Sequence, residues 1–198
     1  MKRLLFIFLY LIPTLLISQP TRYYYNFDSE AVKLSEKYVS GEMGVMEIGN
    51  NRGKHIQKYA LSALGYKAQG YPYCLAGQYW AIHTACIELN VINYLLRTAH
   101  CNTLYNYAIR TGIRDNSVNY KVHDLIIWKV RNGSSGHVER IKSIKNKKLG
   151  IVTTYAFNTS VKGGQNVRDG GGNAIKTRHL KHPLGRMFVR GYIGINGK

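Results

Sequence analysis

Apolar positions recur at steps of three and four through the first half of the chain, then at steps of two or in short runs. Over residues 28–40, Ala31, Leu34 and Tyr38 share one helical face, Asp28 or Ser29 can cap the start, and Gly41 can stop the end. A second helix is predicted over 54–64, with Ile56, Ala60 and Ala63 inward and Gly65 behind it. The stretch Asn50-Asn51-Arg52-Gly53 before it reads as a turn. A third helix starts near Cys74. Its Leu75, Tyr79, Ile82, Cys86 and Leu89 recur at the spacing of a largely buried helix. Residues 90–112 read as further helix in one or two pieces, closed by Gly112. The period then shortens. Strands are predicted over 124–130, 137–144, 149–157, 174–179 and 187–195, separated by a turn at 132–136, a basic turn at 145–148 and a Gly- and Asn-rich loop at 163–173. Helices first and strands second predict an α+β class in which N-terminal helices pack on a C-terminal antiparallel β-sheet. No repeat or linker divides the chain.

The ends and the charge refine this picture. Lys2-Arg3, an apolar run to Ile17 interrupted by Pro13, and Ser18-Gln19-Pro20 read as a secretory signal peptide over 1–18. A segment over 19–29 and a single domain over 30–196 follow. The chain is therefore expected to be exported, periplasmic or secreted, with no stable membrane span once the signal is cleaved. Residues 1–50 carry equal numbers of basic and acidic side chains, so the whole formal charge of +18 lies beyond them. Such a surface attracts polyanions. For an exported chain, an anionic envelope polymer is the expected partner, and nucleic acid is not expected. Whether a protein regulator acts on it is left open.

Cys74 carries the sharpest chemical signal. It follows the turn-forming Gly70-Tyr71-Pro72-Tyr73 and opens a helix, where the partial positive charge of the helix N-terminus favours thiolate. His137 follows a glycine at the start of a strand, and Asn158 closes the next one. Cys, His and Asn together form an acyl-transfer constellation of nucleophile, general base and orienting group. The oxyanion would be held by the backbone N–H of Cys74 and a second donor, with Gln69 and Tyr73 as candidates. The other cysteines, Cys86 and Cys101, can form a disulfide or remain two buried thiols. No spacing suggests a metal site, and no cofactor is expected. His55, His83, His100, His179 and His182 read as surface or packing residues, and His123 as a turn residue beside the site. Trp80 and Trp128 read as core, and Tyr23, Tyr24 and Tyr25 as an N-terminal segment packed on the domain.

In order, the residues Glu47-Ile48-Gly49-Asn50-Asn51-Arg52-Gly53, Tyr71-Pro72-Tyr73-Cys74, Asp124-Leu125-Ile126-Ile127-Trp128, Gly136-His137-Val138 and Phe157-Asn158-Thr159-Ser160 resemble the CHAP family of cysteine amidohydrolases, within the NlpC-type papain-like group. The resemblance covers roughly residues 30–195, nearly the whole of the expected mature chain. It implies a papain-like α+β fold that cleaves an amide bond in peptidoglycan, as an endopeptidase or an N-acetylmuramoyl-L-alanine amidase. Cys74 then matches the nucleophile, His137 the general base and Asn158 the orienting residue. Three positions depart from the pattern. Ala156 stands where many members carry Glu, Glu139 stands where a small residue is expected, and Val122-His123 replaces a Pro-Gly turn. With Ala156, Asn158 is the remaining orienting candidate, while Glu139 brings a carboxylate to the strand face of His137, where it can raise the imidazole pKa. The alternatives are a catalytically weakened, basic envelope-binding protein with the same fold, or a papain-like protease or acyltransferase acting elsewhere.

Overall fold

Asp28 caps the first helix as its side chain predicts, accepting from the backbone N–H groups of Glu30 and Ala31 at 2.9 and 3.0 Å. The computed structural model describes residues 20–117, 119–161 and 171–196. Along them run β1 (Thr21–Tyr24), α1 (Ser29–Gly41), α2 (Lys54–Leu64), α3 (Cys74–Glu88), α4 (Cys101–Thr111), β2 (Ile113–Asp115), β3 (Leu125–Val130), β4 (Gly136–Asn146), β5 (Ile151–Thr159), β6 (Gly172–His179) and β7 (Met187–Gly194). The expected leader, and all but the end of the expected Gly-rich loop, lie outside the described residues. No described helix is long and apolar enough to cross a membrane.

The stretch 90–112 is helical only in its second half. Asn90 adopts φ 52°, which ends α3. Asn93 then accepts from the Leu95 N–H at 3.0 Å, and the Thr98 hydroxyl from the His100 N–H at 3.1 Å. Such local side-chain bonds compete with the helical ladder, so α4 begins only at Cys101.

The strands form one sheet in the order β2-β1-β7-β3-β4-β5-β6. It is mixed rather than purely antiparallel, because β1 runs parallel to β7. The class is thus α+β as expected, but the sheet draws on both ends of the chain. Within the expected 19–29 segment, Thr21–Tyr24 enters the sheet as β1. β1 is too short for its alternation to register in the sequence. It is held by Arg22, whose Nε and Nη2 donate to Asp124 at 2.7 and 3.0 Å with both side chains fully buried. Tyr24 and Tyr25 are buried, in keeping with a packed N-terminal segment.

One face of the sheet carries the main core. Ile127, Val138, Tyr155, Phe157 and Ile193 meet Leu75, Tyr79, Ile82 and Leu104 of the helices. The other face is covered by a smaller cluster of Ile126, Trp128, Ile141, Val152, Leu180 and Tyr192. α3 lies close to the sheet at Gly77, where an added Cβ would come within 2.2 Å of Phe157 Cδ1. This near-contact, one turn after Cys74, fixes the height of the thiol over the strands.

Candidate active site

Three elements converge on Cys74. The turn through Pro72 delivers it to the first position of α3, where backbone N–H groups lack helical acceptors and favour negative charge. From the start of β4, His137 reaches the sulfur by a side-chain hydrogen bond, and the backbone of Val138 adds a further one. From the start of α4, the Cys101 Sγ lies 3.6 Å from the Cys74 Sγ. The thiol opens into a cleft of about 590 Å³ whose walls include Tyr66, Tyr71, Asn102, Ser134, Lys129 and Arg190.

The electrostatics follow from these contacts. The hydrogen bond from Cys101 lowers the Cys74 pKa most. Burial opposes it, and the hydrogen bond and charge of His137 bring the thiol well below its ordinary range. Burial alone would push His137 down, but Cys74 on one side and Glu139 on the other outweigh it and raise the imidazole to about 10. Both shifts run in the direction that favours a thiolate–imidazolium pair.

The group that orients the imidazole is Glu139, not Asn158. His137 Nε2–H donates to Glu139 Oε1 at 3.1 Å, which leaves Nδ1 as the nitrogen for sulfur. Glu139 is fully buried. Its two oxygens accept from Arg178 Nε at 3.0 and 2.9 Å, and Arg178 Nη2 adds a bond of 2.6 Å. The Thr154 hydroxyl donates at 2.7 Å. Burial raises a carboxylate pKa, but the hydrogen bonds and charges of His137 and Arg178 hold Glu139 at about 2. A buried carboxylate needs such partners to remain ionised.

Asn158 misses the imidazole because of the backbone. The β4–β5 ladder reaches Glu139↔Ala156 and goes no further toward His137. Beyond it, the β5–β6 register shifts by one residue between Ala156 and Thr159, the mark of a bulge. Asn158 sits in that bulge at φ 52°, with its Oδ1 buried and unpartnered. Among the described residues, no hydrogen bond joins it to His137.

Neither proposed oxyanion side chain faces the cleft. Gln69 is exposed ahead of the turn and does not line it. Tyr73 is 2% exposed, stacks on Tyr59 at 5.9 Å, and has its hydroxyl beside Glu47. Cys101 was not legible as the partner of Cys74. Of the two alternatives for Cys86 and Cys101, the structure has two buried thiols rather than a disulfide: Cys86 donates to the Ile92 carbonyl at 3.7 Å, and all three thiols are free.

The other singled-out residues fall in supporting places. Trp128 is core, while Trp80 is partly buried under the Lys58 ammonium, 4.1 Å from its ring centre. His55 pairs with Glu42 at 2.8 Å. His123 stays a turn residue at φ 74°, receiving Arg140 Nη2–H at 3.1 Å. Burial and the Arg140 charge depress it to about 4. No group of three or more metal-ligating side chains is found among the described residues.

The protein is thus α+β, and Cys74, His137 and Glu139 form a hydrogen-bonded series whose thiol end lines an open cleft. Comparison of the chain with family models, curated proteins and solved structures finds no match.

Proposed function

We propose that this protein is a papain-like cysteine amidohydrolase of the CHAP type, exported and acting on an amide bond of the peptidoglycan peptide. The observation that carries the reading is the triad itself. Cys74 opens a helix with its pKa lowered, His137 is hydrogen-bonded to it so as to exchange a proton, and Glu139 accepts from the ring's other nitrogen. The Cys74 thiolate attacks the carbonyl carbon, and the C–N bond breaks as the imidazolium protonates the leaving amine. Water, deprotonated by His137, then releases the acyl group. Backbone N–H groups at the start of α3 stabilise the oxyanion.

The cleft lining suits an anionic substrate. Among the described residues it carries Lys129 and Arg190 and no carboxylate. Arg190 is fixed by Asn102 Oδ1 at 3.0 Å and Asn106 Oδ1 at 2.6 Å, so its charge is presented rather than mobile. Wall peptides bear free carboxylates, and exposed Tyr66 and Tyr71 offer flat faces to the attached sugars.

The departures from the family pattern compensate one another in this reading. The usual Glu is absent at Ala156 and the usual small residue is absent at Glu139, and these two positions are direct cross-strand partners. The carboxylate has changed strands while keeping its place beside the imidazole.

The test is mass spectrometry of purified peptidoglycan after incubation with the protein, beside a Cys74→Ala control. New termini that depend on Cys74 are expected and identify the bond. An unchanged wall from several chemotypes, with folded protein, would favour a binding module.

A further inference from the structure

Two thiols, not one, meet at the base of the cleft. Cys74 and Cys101 each open a helix, both line the cleft, and they are 4% and 6% exposed. Their sulfurs, 3.6 Å apart, need approach by only about 1.5 Å to reach bonding distance. Their acidities are driven apart by the same contact. Cys101, which donates to the thiolate and is buried, is raised well above an ordinary thiol, whereas Cys74 is lowered. One sulfur is thus prepared to attack and its neighbour to remain protonated until called upon. Cys86 differs on each count. Its thiol is bonded to a backbone carbonyl, does not line the cleft, and is pushed up to about 11 by burial.

We propose that Cys101 is a resolving thiol, so that Cys74 and Cys101 form a reversibly oxidisable pair that responds to hydroperoxides. The Cys74 thiolate attacks the terminal peroxide oxygen. The O–O bond breaks, the departing oxygen takes the His137 proton, and Cys74 becomes a sulfenic acid. The Cys101 sulfur gives up its proton to His137 and attacks the Cys74 sulfur. The S–O bond breaks, hydroxide leaves as water with that proton, and a Cys74–Cys101 disulfide remains. Two thiols are oxidised and one hydroperoxide is reduced to an alcohol, or to water, with a second water released. The closed pair silences the nucleophile and shields it from sulfinic acid.

The pair does not depend on the hydrolase reading, and its test reads masses rather than turnover. The reduced full chain is treated with graded hydrogen peroxide, alkylated and peptide-mapped. The expected result is a Cys74–Cys101 linked peptide with Cys86 still alkylated, fully reversed by dithiothreitol. In Cys101→Ser or Cys101→Ala, Cys74 is expected to advance to sulfinic acid, with loss of that rescue, while Cys86→Ser behaves as the wild type. Sulfinic Cys74 without a link in the wild type, a link through Cys86, or three unmodified thiols would each overturn the proposal. The wild-type map decides alone if the Cys101 variants fail to fold.

Discussion

At the scale of single residues, function turns on which polar group faces the imidazole. Glu139→Gln keeps a hydrogen-bond acceptor but removes the charge that supports the imidazolium. It is expected to lower turnover of peptidoglycan by roughly 10²-fold or more, as loss of an orienting carboxylate does elsewhere. The acid limit of Cys74 alkylation by iodoacetamide should also move to higher pH, because a less stabilised imidazolium supports the thiolate less. Asn158→Ala should leave both measurements near wild type. An exchange tests the strand swap directly: Glu139→Gly should lose activity, and Glu139→Gly with Ala156→Glu should regain part of it. Activity no higher in the double variant than in Glu139→Gly would refute the exchange. Cys74 and His137 were legible because local punctuation announces them, Pro72 and a helix start for one, Gly136 and a strand start for the other. Glu139 was visible as an anomaly, but its alignment with Ala156 depends on register, which no single strand encodes. Asn158 was misassigned because the bulge that removes it leaves no trace in the apolar alternation.

At the scale of elements, α3 is the part on which the site depends most. Its apolar spacing marked it as buried, and ten of its fifteen residues are. What the spacing did not reveal is how near it comes to β5. Gly77→Ala would drive a methyl group into the Phe157 ring, and overpacking of this kind costs about 1–3 kcal/mol. Thermal unfolding should register that loss, and the Cys74 alkylation rate should fall as the helix start lifts away from His137. The link between β1 and β3 makes a second prediction. Asp124→Ala takes from buried Arg22 a fully buried carboxylate at 2.7 Å, while Asp115 stays at 3.1 Å. Breaking such a pair costs about 3–5 kcal/mol, to be measured by urea denaturation. The helices and the later strands were legible because each has its own period. β1 was not, since four residues carry too little pattern, and α4 was overextended because side-chain bonds at Asn93 and Thr98 interrupt a helical composition.

At the scale of the whole molecule, charge governs both partner and pH range. The formal charge is +18, and several of the ten acidic groups are spent internally: Asp124 on Arg22, Glu139 on Arg178, Glu42 on Lys58. The outward field is therefore strongly positive, and retention on purified cell wall should fall steeply as salt rises toward about 0.5 M, where screening shortens to a few ångströms. Stability should depend on pH through the triad. The Glu139 contribution is present above its ordinary 4.5 and fades as pH falls toward 2. The His137 contribution is full below its ordinary 6.5 and is lost as pH rises toward 10. Denaturant titrations across pH are expected to show the triad's contribution weakening on both sides of that interval, with Cys74→Ala reducing the alkaline loss.

The parallel pairing of β1 with β7 has a consequence for how the molecule assembles. Thr21 meets Gly191 across nearly the full described chain, and β7 in turn is the neighbour of β3. A nascent chain that has not yet yielded Met187–Gly194 lacks the strand that joins β1 to β3, so sheet closure waits for β7. Long-range closure of this kind is slow. A polypeptide made in this order keeps its sheet open until β7 emerges.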